Sequence, residues 1–327
     1  MDHKQRMEAC ISGQKVDRPP VALWRHFPVD DQSPQDLARS IVFFQNTYDF
    51  DFVKITPASS YCLKGYGSLD EWRGSPEGTR EYTNRPVNKP EDWLNLPRLS
   101  PLDGSLGATL EAVRLIRGQI DANTPVIQTI FDPLSQAKNL AGNDTLIAHL
   151  RLHPQAVMAG LNRILENTLA FIEECKKMQI DGIFFAIQHA QAQLLELEEF
   201  RSFVLLFDRE ILDAVKGLWL NLVHIHGKNI YFDAVSSLPA AILNWHDQET
   251  VPSLAEGKER FSGAVCGGLK QWSTLAYQSP AVVTAEAQKA IESTHGERFI
   301  LGTGCVLPII APHANILAVR NAVERYS

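Results

Sequence analysis

No C-x-x-C pair occurs anywhere in this 327-residue chain. Its five cysteines, Cys10, Cys62, Cys175, Cys266 and Cys305, are odd in number and irregularly spaced. That excludes a disulfide framework and a zinc ribbon, and it fits a reducing, cytoplasmic setting. No apolar run reaches the roughly 20 residues that a membrane helix needs. Met1 to Arg18 is polar and charged, unlike a signal peptide. An excess of positive charge is missing as well. The net charge of −7 leaves no general nucleic-acid-binding surface and no basic face for a membrane. No internal repeat and no Ser/Gly-rich linker divides the sequence, so a single domain spanning 1–327 is expected. A 45% hydrophobic content supplies a substantial core for it.

Short apolar strands alternate with helical patterns along the chain. The strand candidates are Val21–Trp24, Asp51–Thr56, Val126–Ile130, Gly182–Ala186, Leu220–His224, Ala240–Asn244, Gly263–Cys266 and Arg298–Leu301. Ser33-Pro34-Gln35-Asp36 signals a helix start, with a capping serine and a proline at the first helical position. Eight strands alternating with helices is the rhythm of an α/β (β/α)8 TIM barrel. A doubly wound sheet is the alternative, but it usually carries a glycine-rich first turn. The turn here is Arg25-His26-Phe27-Pro28. Between the second and third strands, Ala58–Leu99 reads as one long irregular insertion, expected to cross the C-terminal mouth as a lid or binding loop.

In a (β/α)8 barrel the chemistry sits at the C-terminal ends of the strands. Those ends carry Arg25 and His26, Lys54 and Thr56, Asp132, Gln188 and His189, His224 and His226, Trp245 and His246, and Cys305. Five of the ten histidines fall there. His224 and His226 are two apart, so on a strand they project from one face. Cys305, in a turn past another strand end where Gly302 and Gly304 suggest close backbone approach, would complete three ligands of the kind zinc prefers, with a position left open for substrate. His189 is the expected fourth ligand. The same residues also allow a blander reading, with His-x-His as ordinary polar residues at a strand end and Cys305 as a small buried side chain. Arg25 and Lys54 are expected to bind a carboxylate, sulfonate or phosphate, with His26, Gln188 and His246 as further substrate-binding candidates.

Certain motifs resemble the uroporphyrinogen decarboxylase superfamily, which includes cobalamin-dependent methyltransferases. They are Arg6, Gly13 and Val16-Asp17-Arg18 with Pro20-Val21; Asp51-Phe52-Val53-Lys54; Ala240 to Trp245; Gly267-Gly268-Leu269; and Gly304-Cys305-Val306-Leu307-Pro308 with Pro312 and Asn315. The resemblance covers nearly the whole chain and implies the (β/α)8 barrel. True decarboxylases of the superfamily hold substrate carboxylates with an Arg-Gln-Ala-Gly-Arg segment, where this chain has Trp24-Arg25-His26. Their catalytic aspartate falls in Lys54-Ile55-Thr56, their tyrosine at Asn139 and their C-terminal histidine at Gly304. The methyltransferase branch is closer, because its zinc ligands lie in a His-x-Cys-Gly and a Gly-Cys. Those positions read His224-Ile225-His226-Gly227 and Gly304-Cys305 here, with the middle ligand changed from cysteine to histidine.

The resemblance therefore implies a zinc-dependent methyltransferase that moves a methyl group from a corrinoid, carried by a corrinoid protein, or from a similar donor to a metal-bound thiol. One alternative is a decarboxylase of a carboxylated tetrapyrrole, with Arg25 and Lys54 on its carboxylates. A second is a non-catalytic barrel that binds a tetrapyrrole or corrinoid.

Overall fold

A computed structural model describes residues 1–326. Seven strands pair in parallel in a curled sheet ordered β1 (Val53–Ile55), β4 (Val126–Phe131), β5 (Gly182–Ile187), β6 (Leu222–Ile225), β7 (Ile242–Trp245), β8 (Ala264–Leu269) and β9 (Phe299–Thr303). The eighth expected strand is not a regular one. Val21 forms an isolated parallel bridge to Leu301 and Arg25 one to Leu307. Ala22 N–H donates to the Leu301 carbonyl at 3.0 Å, and the Val21 carbonyl accepts from Asp51 N–H at 2.9 Å. Pro19 and Pro20 have no N–H to offer a ladder, which shortens the pairing of this segment on both sides.

The helices largely follow their sequence signals. They are α1 (His3–Ile11), α2 (Pro34–Tyr48), α3 (Gly104–Arg117), α4 (Pro133–Ala141), α5 (Asn143–Leu152), α6 (Pro154–Lys177), α7 (Leu197–Phe200), α8 (Leu206–Ala214), α9 (Phe232–Ser236), α10 (Leu254–Arg260), α11 (Pro280–Thr294) and α12 (His313–Ala322). Ser33 Oγ accepts from Asp36 N–H, as a capping serine should. Between Leu197 and Ala214 the helical course is broken into α7, a π turn over Arg201–Leu205, and α8.

The insertion after β1 is less irregular than its composition indicates. It contains the antiparallel hairpin β2 (Leu69–Glu71) and β3 (Glu81–Asn84), with Tyr61, Leu63, Tyr66, Val87 and Trp93 buried as anchors. The hairpin loop meets the far side of the sheet. Ile309 N–H donates to the Pro76 carbonyl at 2.7 Å, and Trp272 Nε1 donates to Glu77 at 3.2 Å.

Strand alternation divides the core into two layers. Side chains pointing inward, among them Trp24, Phe52, Ile127, Phe184, Leu222, Ile242, Cys266 and Ile300, pack into one cluster that Met7 and Cys10 of α1 join. Those pointing outward pack against the helices.

Below the sheet lies an ion network built from the motif that carries the family resemblance. Asp51 is wholly buried and accepts from Arg6 Nη1 at 2.6 Å, Arg18 Nη1 at 2.7 Å and Val21 N–H at 2.8 Å. Burial alone would raise the Asp51 carboxyl, but His3, Arg18 and Arg6 hold it down to about 2. A depressed carboxyl stabilises the fold above its unfolded value, and that contribution is lost as pH falls toward 2. Asp51→Asn leaves buried guanidinium groups without their counter-charge and is expected to cost about 3–5 kcal/mol. Urea unfolding at neutral pH measures it.

Candidate functional site

His224, His226, His246 and Cys305 converge, with one ligand atom from each lying within 4.8 Å of the others. Strand parity explains why. Leu222 and His224 are both inward residues of β6, and His226 continues the series past its end. Strand β7 repeats the pattern with Ile242, Asn244 and His246. The register pairs His224 with Asn244 and Ile225 with Trp245, which sets His226 level with His246. Cys305 arrives two residues past the end of β9, in a turn held by Thr303 Oγ1 donating to the Cys305 carbonyl at 2.6 Å. Gly304 permits the approach, since a Cβ there would stand 2.8 Å from His246 Cα and 2.9 Å from the Trp245 carbonyl oxygen.

Cys305 Sγ lies 3.8 Å from His224 Nε2 and 3.9 Å from His226 Nδ1, while His226 Nδ1 and His246 Nε2 are 3.3 Å apart. Bonds of about 2.0–2.3 Å in a tetrahedron put ligand atoms roughly 3.3–3.8 Å apart. The donor set is one that zinc takes, and these three separations of 3.3–3.9 Å stand close to that spacing.

A residue that sequence reasoning overlooked fixes one of these donors. Asn244 Nδ2 donates to the carbonyls of Cys266 and Thr303, each at 2.9 Å. Its Oδ1 is thereby turned to His224 Nδ1, 2.7 Å away, and must accept a proton from it. The lone pair of His224 is left on Nε2, facing Cys305. Asn244→Leu should weaken zinc affinity by about 10–100-fold, which a chelator competition reads directly. The signal was present in the sequence as the i−2 neighbour of His246, hidden because asparagine is not itself a preferred zinc ligand.

The surroundings push the three imidazoles toward the neutral form that binds metal. Burial, followed by the charges around it, pushes His226 down to about 3 and His224 well below its ordinary value. His246 is lowered by burial as well. Cys305 moves the other way, with burial raising its thiol to about 11. Lys54 is the cation nearest in influence to this thiol. It is buried, its Nζ lies 4.4 Å above the Phe184 ring and 3.1 Å from Thr56 Oγ1, and burial lowers it to about 7. Phe184 in turn stacks on His224, with centroids 5.4 Å apart.

The remaining sequence-predicted residues fall elsewhere. His189, expected as the fourth ligand, is not in the converging group, and His246 stands there instead. The register pairs Ile187 with Ile225, so Gln188 is level with His226 and His189 has the opposite parity. His189 is completely buried, and neither of its ring nitrogens has a hydrogen-bond partner. Gln188 accepts from Lys138 Nζ at 2.6 Å. His26 is buried, with Nδ1 unpartnered, and is lowered to about 3 by burial and then by Lys54. Arg25 donates to the carbonyls of His26 and Ile309 and lies 5.1 Å from the Phe27 ring. Its donors hold the C-terminal segment against the segment after Val21–Trp24.

Comparison with known proteins places this chain in a family. A 24% identical relative, the methylcobamide:CoM methyltransferase MtbA of Methanosarcina mazei, aligns over 73% of this chain and 70% of its own length. The methylcobamide:CoM methyltransferase MtaA of Methanosarcina barkeri is 22% identical over 99% of this chain and 98% of its own. A solved structure described as a methyltransferase from Methanosarcina mazei superposes over 100% of this chain and 99% of its own, with a TM-score of 0.87 at 18% identity. The family model for uroporphyrinogen decarboxylase (URO-D) matches residues 69–326, most of the sequence. The chain belongs to the uroporphyrinogen decarboxylase (URO-D) family.

Proposed function

We propose that this protein is a zinc-dependent methyltransferase that moves a methyl group from a corrinoid or similar donor to a metal-held thiol. The observation that carries the reading is the convergence of three imidazoles and one thiol, with one ligand atom of each within 4.8 Å of the others. The relatives named methylcobamide:CoM methyltransferases support the direction of transfer. In this reading Val21–Trp24 takes the place of the first barrel strand and closes the ring to eight, and the 58–99 insertion roofs part of the mouth.

His224, His226 and Cys305 would hold the ion, and His246, the fourth donor in reach, would yield its place to the substrate thiol. Zinc bound there supplies the Lewis acidity that lets a substrate thiol exist as its thiolate near neutral pH. The rest is the work of the chain. Asn244 keeps His224 in the tautomer that presents Nε2. The Lys54 ammonium favours the thiolate form of Cys305, whose proton must leave before the sulfur can act as a ligand. Phe184 and the apolar layer beneath it keep water from the inner side of the site.

Purified protein incubated with zinc and desalted should retain one ion per chain. The cobalt-substituted protein should show a sulfur-to-metal charge-transfer band that changes when β-mercaptoethanol is added. With methylcobalamin present, that thiol should be methylated and the corrinoid spectrum should shift. No retained metal, or a cobalt spectrum indifferent to every thiol, overturns the proposal.

A further inference from the structure

The hairpin β2–β3 turns a polar face to the body of the protein. On β2, Leu69 is exposed, while Ser68 and Asp70 on either side of it have covered side chains. On β3, Arg80 shares the covered face and its neighbour Glu81 points to solvent. The covered face of a hairpin is ordinarily apolar. A polar one is stable only where its groups find partners.

Arg80 joins this face to the turn over Asp30–Gln32. Its Nε donates to Asp70 Oδ1 at 2.6 Å, and its Nη1 lies 3.5 Å from Asp31 Oδ1, which also accepts from Gln32 Nε2 at 2.6 Å. Two carboxylates, both with wholly buried side chains, therefore flank a single guanidinium. Lys64 is the other cation whose charge reaches Asp31, but it is exposed and donates to Gln32 Oε1 at 3.0 Å. The second oxygen of each carboxylate, Asp31 Oδ2 and Asp70 Oδ2, is buried without a hydrogen-bond partner, and so is Ser68 Oγ. Burial pushes the Asp31 carboxyl up, and the charge of Asp70 acts in the same sense. One negative charge and three oxygens thus stand unmatched under the hairpin. A single proton matches the charge but leaves oxygens unserved, whereas a hard cation takes several oxygen ligands at once. A cavity of about 260 Å³ that Asp31 lines with Gln32, Lys64, Ser105 and Thr109 gives water a route to complete the coordination.

We infer that Asp31, Asp70 and Ser68 form a binding site for a hard divalent cation, magnesium or calcium, that fastens the hairpin to the segment after Val21–Trp24. The ligands are all oxygen, so this site and the group of imidazoles and thiol sort metals by softness, hard ions here and zinc there. Its occupancy bears on the mouth, because the tip of the same hairpin rests there. Gly78, at φ 78°, packs so closely that a Cβ on it would stand 2.5 Å from His26 Cβ. The Pro76 carbonyl and Glu77 beside it are the acceptors for Ile309 N–H and Trp272 Nε1. A cation at the base of the hairpin thus steadies the cover at its tip. The site stands whether or not the proposed function does.

Magnesium chloride and calcium chloride, titrated separately by calorimetry into chelator-treated and dialysed protein, test the inference. At least one should bind at one ion per chain, with a dissociation constant of about 1 mM or below. The same ion should slow trypsin cleavage after Arg73, which is exposed in the hairpin. Asp31→Asn and Asp70→Asn should each weaken binding about tenfold or more and remove the protection. Ser68→Ala keeps every charge and should weaken binding about threefold, which carries the test if the aspartate variants do not fold. Cys305→Ala should keep both effects, separating this site from the imidazole and thiol group. Failure of both ions to bind overturns the inference, as does binding that survives in all three variants or is lost in Cys305→Ala. Protection that sodium chloride reproduces at equal ionic strength overturns it too. Protection that appears only on acidification to about pH 5, with neither divalent ion effective, would mark a protonated acid pair instead.

Discussion

Cys305→Ala is expected to lower zinc affinity by at least about 100-fold while leaving the fold intact. A complete zinc site of four protein ligands is worth roughly 10–16 kcal/mol at neutral pH. One ligand in four then carries about 3 kcal/mol, or roughly two powers of ten. The thiolate should exceed an equal share, because it is the only anionic donor in the group and cancels part of the ion's charge in a buried site. The fold should tolerate the change. Cys305 is half-buried in a turn after β9, and the hydrogen bond from Thr303 goes to its backbone carbonyl, which alanine keeps. Chelator competition gives the affinity and thermal unfolding of the metal-free proteins gives the control. Affinity within threefold of wild type would mean that the cysteine is a packing residue and that three imidazoles alone make the site.

Much of this arrangement was legible in the sequence because it depends on period-two alternation. His224 and His226 share a face for the same reason that Leu222 does, and Gly304 announced a close approach that the structure locates against His246. What could not be read was register. Whether His189 or His246 reaches the pair depends on which residue of β5 or β7 stands opposite β6, and register is set by tertiary pairing. The same limit hid Asn244, whose role exists only because His224 is its cross-strand partner. The first strand was foreseen as a strand because Val21-Ala-Leu-Trp24 is apolar, but the prolines before it restrict it to isolated bridges. The hairpin in the insertion was missed for a different reason. Its strands are short and mostly exposed, so they carry no alternating pattern to detect. The motif of Arg6, Arg18 and Asp51 was legible as a family mark, while its physical meaning, a buried ion network tying α1 and the first segment to β1, needed coordinates.

Zinc affinity should rise about tenfold for each pH unit between roughly pH 5 and 8, with a slope of one proton per ion. The sign follows from which groups must lose a proton to bind. Burial raises Cys305 to about 11, so the thiol is protonated throughout this window and gives up one proton when metal enters. An imidazole also competes with metal for its proton, but only below its own pKa. Burial and neighbouring charge hold His226 near 3 and His224 well below its ordinary value, and burial lowers His246. His226 and His224 are neutral at the lower end of the window, and His246 is less readily charged there than exposed histidines with values near 6.5. A site of three exposed histidines and a cysteine would release up to four protons below pH 6 and show a correspondingly steeper loss of affinity on acidification. Cys305→Ala should flatten the profile to a slope near zero over the same range, which separates the thiol's proton from any unfolding of the protein. Affinities measured by competition at four or five pH values, corrected for the chelator's own protonation, give the slope. A wild-type slope of two or more would show that the imidazoles titrate within the window, and would remove the buried, neutral donor set from the account of this site.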